Sequence, residues 1–113
     1  MRYALLICGD DEANEAMEAD GSFLAACHAW SDELRRRGVL VSLAGLQAAS
    51  DATTVRVRDA QILLTDGPFA DTKEWIAGYD VLDCADLDEA VEIASKHPMA
   101  TAGAIEVRPF WSS

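Results

Sequence analysis

The sequence predicts an α+β domain, a ferredoxin-like two-layer sandwich. Two segments carry apolar residues at helical spacing. Short apolar or alternating runs of strand length are interspersed with them, in the order strand, helix, strand, hairpin, strand, helix, strand. The chain is 113 residues long and half hydrophobic, enough for one compact domain with a real core. Domain organisation is therefore a single unit over residues 1–113, without linker, internal repeat or low-complexity tract.

Tyr3-Ala4-Leu5-Leu6-Ile7-Cys8 is a short apolar run stopped by Gly9-Asp10, and reads as a buried strand. The acidic stretch Asp10 to Asp20, with Glu12, Glu15 and Glu18, reads as a solvated loop or a short exposed helical turn. A helix is indicated from about Ser22 to Arg37. Phe23, Cys27, Trp30 and Leu34 fall on one stripe, and Ser22 is placed to cap the start. Arg35, Arg36 and Arg37 gather at the end that the helix dipole makes negative, and Gly38 supplies the position where a positive φ is cheap.

Val39 to Leu43 resumes as a strand. Thr53 to Arg58 alternates with period two, and Gln61-Ile62-Leu63-Leu64-Thr65 follows after Asp59-Ala60. Two strand-like runs separated by two residues read as a hairpin. Gly78 to Cys84 is a further strand. Asp86-Leu87-Asp88-Glu89 has the spacing of a capping box, with Leu87, Ala90, Val91 and Ala94 on one helix face and Pro98 stopping the helix after His97. Ile105-Glu106-Val107-Arg108 is the last strand, and Pro109 places it at an edge. One sheet face would lie under the helices. The other needs a cover, which sheet-to-sheet dimerisation would provide, with Phe110 and Trp111 as contributors.

The net charge is −11. That sign excludes a sequence-independent nucleic-acid binder and disfavours an anionic membrane surface, since both need clustered Lys and Arg. The apolar run at the start is too short for a signal segment, and nothing approaches membrane-spanning length, so the cytoplasm is expected. Cys8, Cys27 and Cys84 are dispersed among small or apolar residues and read as buried reduced thiols. No ligand spacing for a metal is present, and no cofactor is expected.

The densest chemistry lies in Asp66-Gly67-Pro68-Phe69-Ala70-Asp71-Thr72-Lys73-Glu74, just after Ile62-Leu63-Leu64. Asp66 has two readings: a carboxylate capping the Gly67-Pro68 turn, or a base projecting into a cleft. Phe69 reads as a core anchor or a stacking platform. Lys73 reads as solvated or as holding an anionic group at a rim, and Arg58, on its strand with Arg56, as a partner of carboxylates or part of an anion pocket. His28 sits mid-helix, with Asp32 one turn on to orient its ring; it is either a surface residue or a proton-transfer group. His97 reads as a partner of its helix C-terminus.

Taken together, several stretches resemble the YCII-related family, in its DGPF branch, across essentially the whole chain. They are Tyr3-Ala4-Leu5-Leu6-Ile7, Glu33-Leu34-Arg35 with Gly38-Val39-Leu40, Gly45-Leu46-Gln47, Ala52-Thr53-Thr54-Val55-Arg56, Thr65-Asp66-Gly67-Pro68-Phe69 with Thr72-Lys73-Glu74, Asp86-Leu87-Asp88-Glu89-Ala90, and Ile105-Glu106-Val107-Arg108-Pro109. The resemblance implies a ferredoxin-like domain that pairs through its sheets into a dimeric α+β barrel. It also implies a bacterial cytoplasmic protein, often encoded near extracytoplasmic-function sigma factors, and a His and an Asp facing a pocket. His28 falls one position from that histidine, and Trp75 and Ala77 replace the family's usual Gln and Gly.

Three functions are in competition. The first is a homodimeric small-molecule enzyme or binding protein, using Asp66 or His28 for acid–base chemistry and Lys73 or Arg58 to hold a small anionic molecule. The second is a noncatalytic partner in sigma-factor regulation, and the third a dimer module without ligand. The first requires Asp66 and at least one cation converging within hydrogen-bond reach around an enclosed cavity. The second requires a solid interior and an exposed apolar patch.

Overall fold

A computed structural model describes residues 1–112. The first strand, β1 (Arg2–Gly9), alternates as its sequence requires: Tyr3, Leu5 and Ile7 are buried, and Ala4 and Leu6 face the other way. Two helices follow, α1 (Asp11–Ala19) and α2 (Gly21–Arg36), then strand β2 (Leu40–Gly45). The hairpin is β3 (Thr53–Arg58) with β4 (Gln61–Asp66). Strand β5 (Trp75–Asp83), helix α3 (Leu87–Ser95), the single turn α4 (Met99–Ala102) and strand β6 (Ala104–Pro109) complete the order.

Among the described residues one sheet runs β2-β5-β1-β6 with every neighbour antiparallel, and β3 pairs only with β4 in a second sheet. This is the ferredoxin-like arrangement expected. The helices cover one sheet face, where Leu5, Leu82 and Met99 are fully buried beside Leu34, Ala90 and Ile93. The opposite face, carrying Leu6, Tyr79 and Val81, has no second layer among the described residues. Pro109 lies on edge strand β6, where its missing N–H is harmless.

Four local expectations are corrected. The stretch from Asp10 to Asp20, read as a loop or a short helical turn, holds a nine-residue helix. Asp10 caps it by accepting the Ala13 N–H at 2.9 Å, and Asn14 buries itself by donating to the Gly9 carbonyl at 2.9 Å. Asp20, not Ser22, caps α2, accepting the Ser22 N–H at 2.9 Å and the Ser22 hydroxyl at 2.7 Å. Strand β5 begins at Trp75, three residues before Gly78. The buried face of α3 is Ala90, Ile93 and Ala94, while Leu87 and Val91 lie on its exposed flank. The cap itself stands as expected: the Asp86 carboxylate accepts the Glu89 N–H at 2.9 Å.

The expected two-residue hairpin turn is present, and Asp59 and Ala60 hold positive φ angles of 51° and 61°. Alanine in this region costs about 1 kcal/mol relative to glycine. Ala60→Gly should therefore stabilise the hairpin by about that amount, read as a rise in denaturant midpoint at constant m value.

Candidate functional site

A cavity of about 250 Å³ opens between α2 and the β2–β5 side of the sheet. Helix α1 supplies one wall through Met17, and Leu24 and Trp30 of α2 form the roof. The floor is strand backbone at Gly45 and Gly78, which face each other across β2 and β5. A Cβ on Gly78 would lie 2.8 Å from the Ala44 carbonyl oxygen, so glycine is what allows this close approach.

Asp80 lines this cavity. It stands on β5 between Leu5 of β1 and Leu43 of β2, on the sheet face that carries the core, and is only 7% exposed. Its Oδ2 is shielded from water and has no hydrogen-bond partner among the described residues. Burial alone disfavours the charged form, and the carboxyl pKa is pushed up to about 6.

His97 lines the same cavity from the far end of α3. Its Nδ1 accepts the Met99 N–H at 3.0 Å, so the neutral ring carries its proton on Nε2. The ring meets Trp30 edge-on, with centroids 4.7 Å apart. Trp30 is fixed in turn by donating from Nε1 to the Ile93 carbonyl at 3.0 Å. Burial lowers the His97 pKa to about 4, so the imidazole is neutral across the physiological range. His97 was expected only as a helix-end residue; its reach into the cavity follows from the chain turning at Pro98 into α4.

His28 and Cys27, adjacent on α2, reach the cavity wall. His28 is exposed, and Asp32 does not orient it, because the Asp32 carboxylate is paired with Arg35 at 3.0 Å. Burial and the nearby Asp80 carboxylate both raise the Cys27 pKa and hold the thiol protonated. All three cysteines are free. Cys84 is buried as expected, whereas Cys8 and Cys27 are only half-buried.

Asp66 and Lys73 lie elsewhere. They border a separate cleft of about 780 Å³ between α1 and the loop from Gly67 to Trp75. Asp10, Asp11, Glu12, Glu15, Glu18 and Asp71 surround it, and Lys73 is the one cation among the described residues that line it. Asp66 is exposed and does not cap its turn. The turn is held instead by the Gly67 N–H donating to the Ala52 carbonyl at 2.7 Å and the Thr54 hydroxyl donating to the Gly67 carbonyl at 2.8 Å. Phe69, expected in the core, is 82% exposed, because the turn carries it away from the helices. Arg58 lies beside the hairpin turn with its guanidinium on the Val57 carbonyl, and it lines neither cavity.

The structure thus brings His28 together with Asp80 and His97, and Asp66 together with Lys73. Asp80 had a legible signal: alternation along β5 gives it the parity of core residue Leu82. Among the described residues no group of three or more His, Cys, Asp or Glu side chains is placed to hold a metal ion. No helix among them is long and apolar enough to cross a membrane.

In fold, the chain is similar to 5-chloro-2-hydroxyhydroquinone dehydrochlorinase (TftG) from Burkholderia phenoliruptrix AC1100, solved in complex with 2,5-dihydroxybenzoquinone. The TM-score is 0.62 at 13% identity, over 100% of this chain and 96% of that one. In sequence it is 34% identical over 113 residues to an uncharacterized protein of Rhizobium meliloti (strain 1021), covering 96% of this chain and 91% of that protein. The YCII-related domain matches residues 1–112, and the chain belongs to the YCII-related family.

Proposed function

We propose that the chain is a small-molecule enzyme of acid–base type, with Asp80 as the proton-transfer group and the cavity beneath α2 as the substrate site. The observation that carries this reading is the buried, unpartnered Asp80 carboxyl lining that cavity. A pKa of about 6 leaves it mostly ionised near neutrality yet basic enough to take a proton, which an ordinary aspartate does poorly. The neutral His97 ring offers an Nε2–H to a developing oxyanion without adding charge. His28, at the exposed end of the wall, is placed to exchange protons with water. The enzyme reading expected Asp66 and a cation around one cavity, and this cavity is lined by neither among the described residues. The regulatory alternative required a solid interior, which the cavity breaks, so the enzyme reading is kept with Asp80 in place of Asp66.

The lining also limits the substrate. No Lys or Arg borders the cavity among the described residues, and Glu18 and Asp80 do. An anion therefore finds no partner here, and the cleft with Asp66 and Lys73 is too acidic to serve one. The volume suits one six-membered ring with a few substituents, given that a cavity of about 150 Å³ accepts benzene. We infer an uncharged hydroxylated ring, from which Asp80 removes a proton at carbon or oxygen. The fold neighbour supports this class, because loss of hydrogen chloride from a hydroxylated ring also begins with a proton to remove. The uncovered apolar sheet face with Leu6, Tyr79 and Val81 supports a homodimer as the working unit.

The test is calorimetric titration with hydroquinone and its chlorinated and hydroxylated derivatives, kept free of oxygen. The wild type should bind at least one of them. Asp80→Asn should lose about tenfold or more in affinity, the usual consequence of leaving a buried polar contact unmade. Asp66→Ala should bind as the wild type does. Equal binding by wild type and Asp80→Asn, or a loss confined to Asp66→Ala, would move the site out of this cavity.

A further inference from the structure

We propose that Cys27 is a covalent capture site for quinones, the two-electron oxidised form of the hydroxylated rings assigned to this cavity, and that the adduct closes the cavity to further ligand. The proposal rests on the substrate reading above and adds how that site is shut.

Cys27 lies at the middle of the α2 face that roofs the cavity. Leu24, Cys27 and Ser31 follow one another at helical spacing, and all three line it. From β5, Asp80 lines the same space with its Oδ2 buried and unpartnered, which calls for a polar ligand beside the thiol. The other two sulphurs are engaged elsewhere. The Cys8 thiol donates to the Leu6 carbonyl at 3.5 Å and the Cys84 thiol to the Asp86 carbonyl at 3.7 Å, and neither residue lines the cavity. Cys27 is free and half-buried, and its thiol has no acceptor among the described residues.

The addition needs no further reagent. The thiol sulphur attacks a ring carbon of the quinone. The S–H bond breaks, a C–S bond forms, and the thiol proton goes to one quinone oxygen. The hydrogen on that ring carbon leaves as a proton for the other oxygen, which restores an aromatic ring as a hydroquinone thioether. Every atom of thiol and quinone is kept in the adduct. The Nε2–H of His97 is a donor on the cavity wall for a quinone oxygen. A cavity of about 250 Å³ takes one such ring, so an attached ring leaves no room for a second.

Docking decides the rate. Burial and the Asp80 carboxylate keep the thiol protonated, so a reagent that does not dock finds little thiolate. Well-oriented reacting groups reach effective concentrations of about 10⁵ M or more, which offsets several tenfold losses in thiolate. The site is therefore selective for what the cavity binds. The titratable groups that line the cavity with Cys27 are Asp80 on β5, Glu18 on α1, His28 on α2 and His97 after α3.

The experiment is peptide mapping by mass spectrometry of the full chain after reaction with para-benzoquinone under argon. Cys27 should be labelled first, at a rate that saturates with quinone concentration, and hydroquinone should slow it. Cys27→Ser should remove the saturable phase, and the quinone-labelled wild type should no longer bind hydroquinone in the calorimeter. Iodoacetamide, which does not dock, should label Cys27 about tenfold more slowly than it labels free cysteine. Asp80→Asn should speed the iodoacetamide reaction, because a charge that raises the thiol pKa is gone. An unchanged iodoacetamide rate would place the thiol away from Asp80 and overturn the capture. Quinone label spread over Cys8 and lysines in proportion to concentration, beside hydroquinone binding that still depends on Asp80, would overturn the capture and keep the substrate reading. No saturation and no hydroquinone binding would overturn both.

Discussion

Asp80→Asn is expected to gain stability over the wild type as pH rises from 4 to 6.5, and His97→Gln is expected to lose its advantage over the same interval. Burial disfavours the charged form of both groups, and their titrations oppose. Asp80 is raised from 3.8 to about 6, so the folded state holds its proton more tightly than the unfolded one. Its contribution is complete below pH 3.8 and is lost as pH climbs through 6. His97 is lowered from 6.5 to about 4, so its contribution is complete above pH 6.5 and is lost as pH falls through 4. Each shift corresponds to about 3 kcal/mol. In the wild type the two slopes nearly cancel, and removing either group uncovers the other.

Urea midpoints at several pH values measure this directly. The stability difference between Asp80→Asn and wild type should grow by about 2 kcal/mol between pH 4 and 6.5, and that between His97→Gln and wild type should shrink by a similar amount. Constant packing costs of either substitution shift a curve without tilting it, and the other acidic groups cancel in the differences. An ion pair between Asp80 and His97 would reverse both tilts. That result would remove the neutral-donor role given to His97 and the poised base at Asp80 together.

The sequence made some of this legible and left some of it hidden, for physical reasons. The hairpin was legible because exactly two residues separate two alternating runs, and only a tight turn closes such a gap. Gly38 was legible at the end of α2 because three arginines precede it; its φ is 72°. Helix α1 was not legible, because its inward residues are Asn14 and Met17 among many acids, and its anchor is the Asn14 amide rather than an apolar stripe. The site divides in the same way. His28 was found because a mid-helix histidine attracts notice. Asp80 was missed although strand parity placed it with Leu82, since a carboxyl on an apolar face contradicts the pattern used to read the strand. The Asp66 segment drew attention by composition, but its turn swings outward, so Phe69 meets water and Asp66 faces other carboxylates.

Gly103→Ala should be among the most damaging single-atom changes in the chain. A Cβ at this position would lie 2.2 Å from the Cys8 carbonyl oxygen, 3.1 Å from the Gly9 Cα and 3.2 Å from the Cys8 carbonyl carbon. All three are backbone atoms of β1, so no side-chain rotation relieves the clash. The turn is pinned from its other side, where the Gly103 N–H donates to the Met99 carbonyl at 2.7 Å, while Met99 is fully buried in the core. Either β6 peels from the end of β1, losing the pairing of Ala104 with Cys8, or α4 lifts and uncovers Met99. Each route should cost about 3 kcal/mol or more, a large share of the 5–15 kcal/mol that holds a typical domain. Gly21→Ala is the matched control: nothing lies within 4 Å of its added Cβ, and helix propensity makes it neutral or stabilising by up to about 1 kcal/mol. Thermal unfolding of the pair should place Gly103→Ala at least about 10 °C below wild type and Gly21→Ala at or above it. Equal midpoints would mean that β1 and β6 are not packed this closely. The Met99–Gly103 turn, which seats His97 beneath Trp30, would then not be the rigid support that the cavity requires.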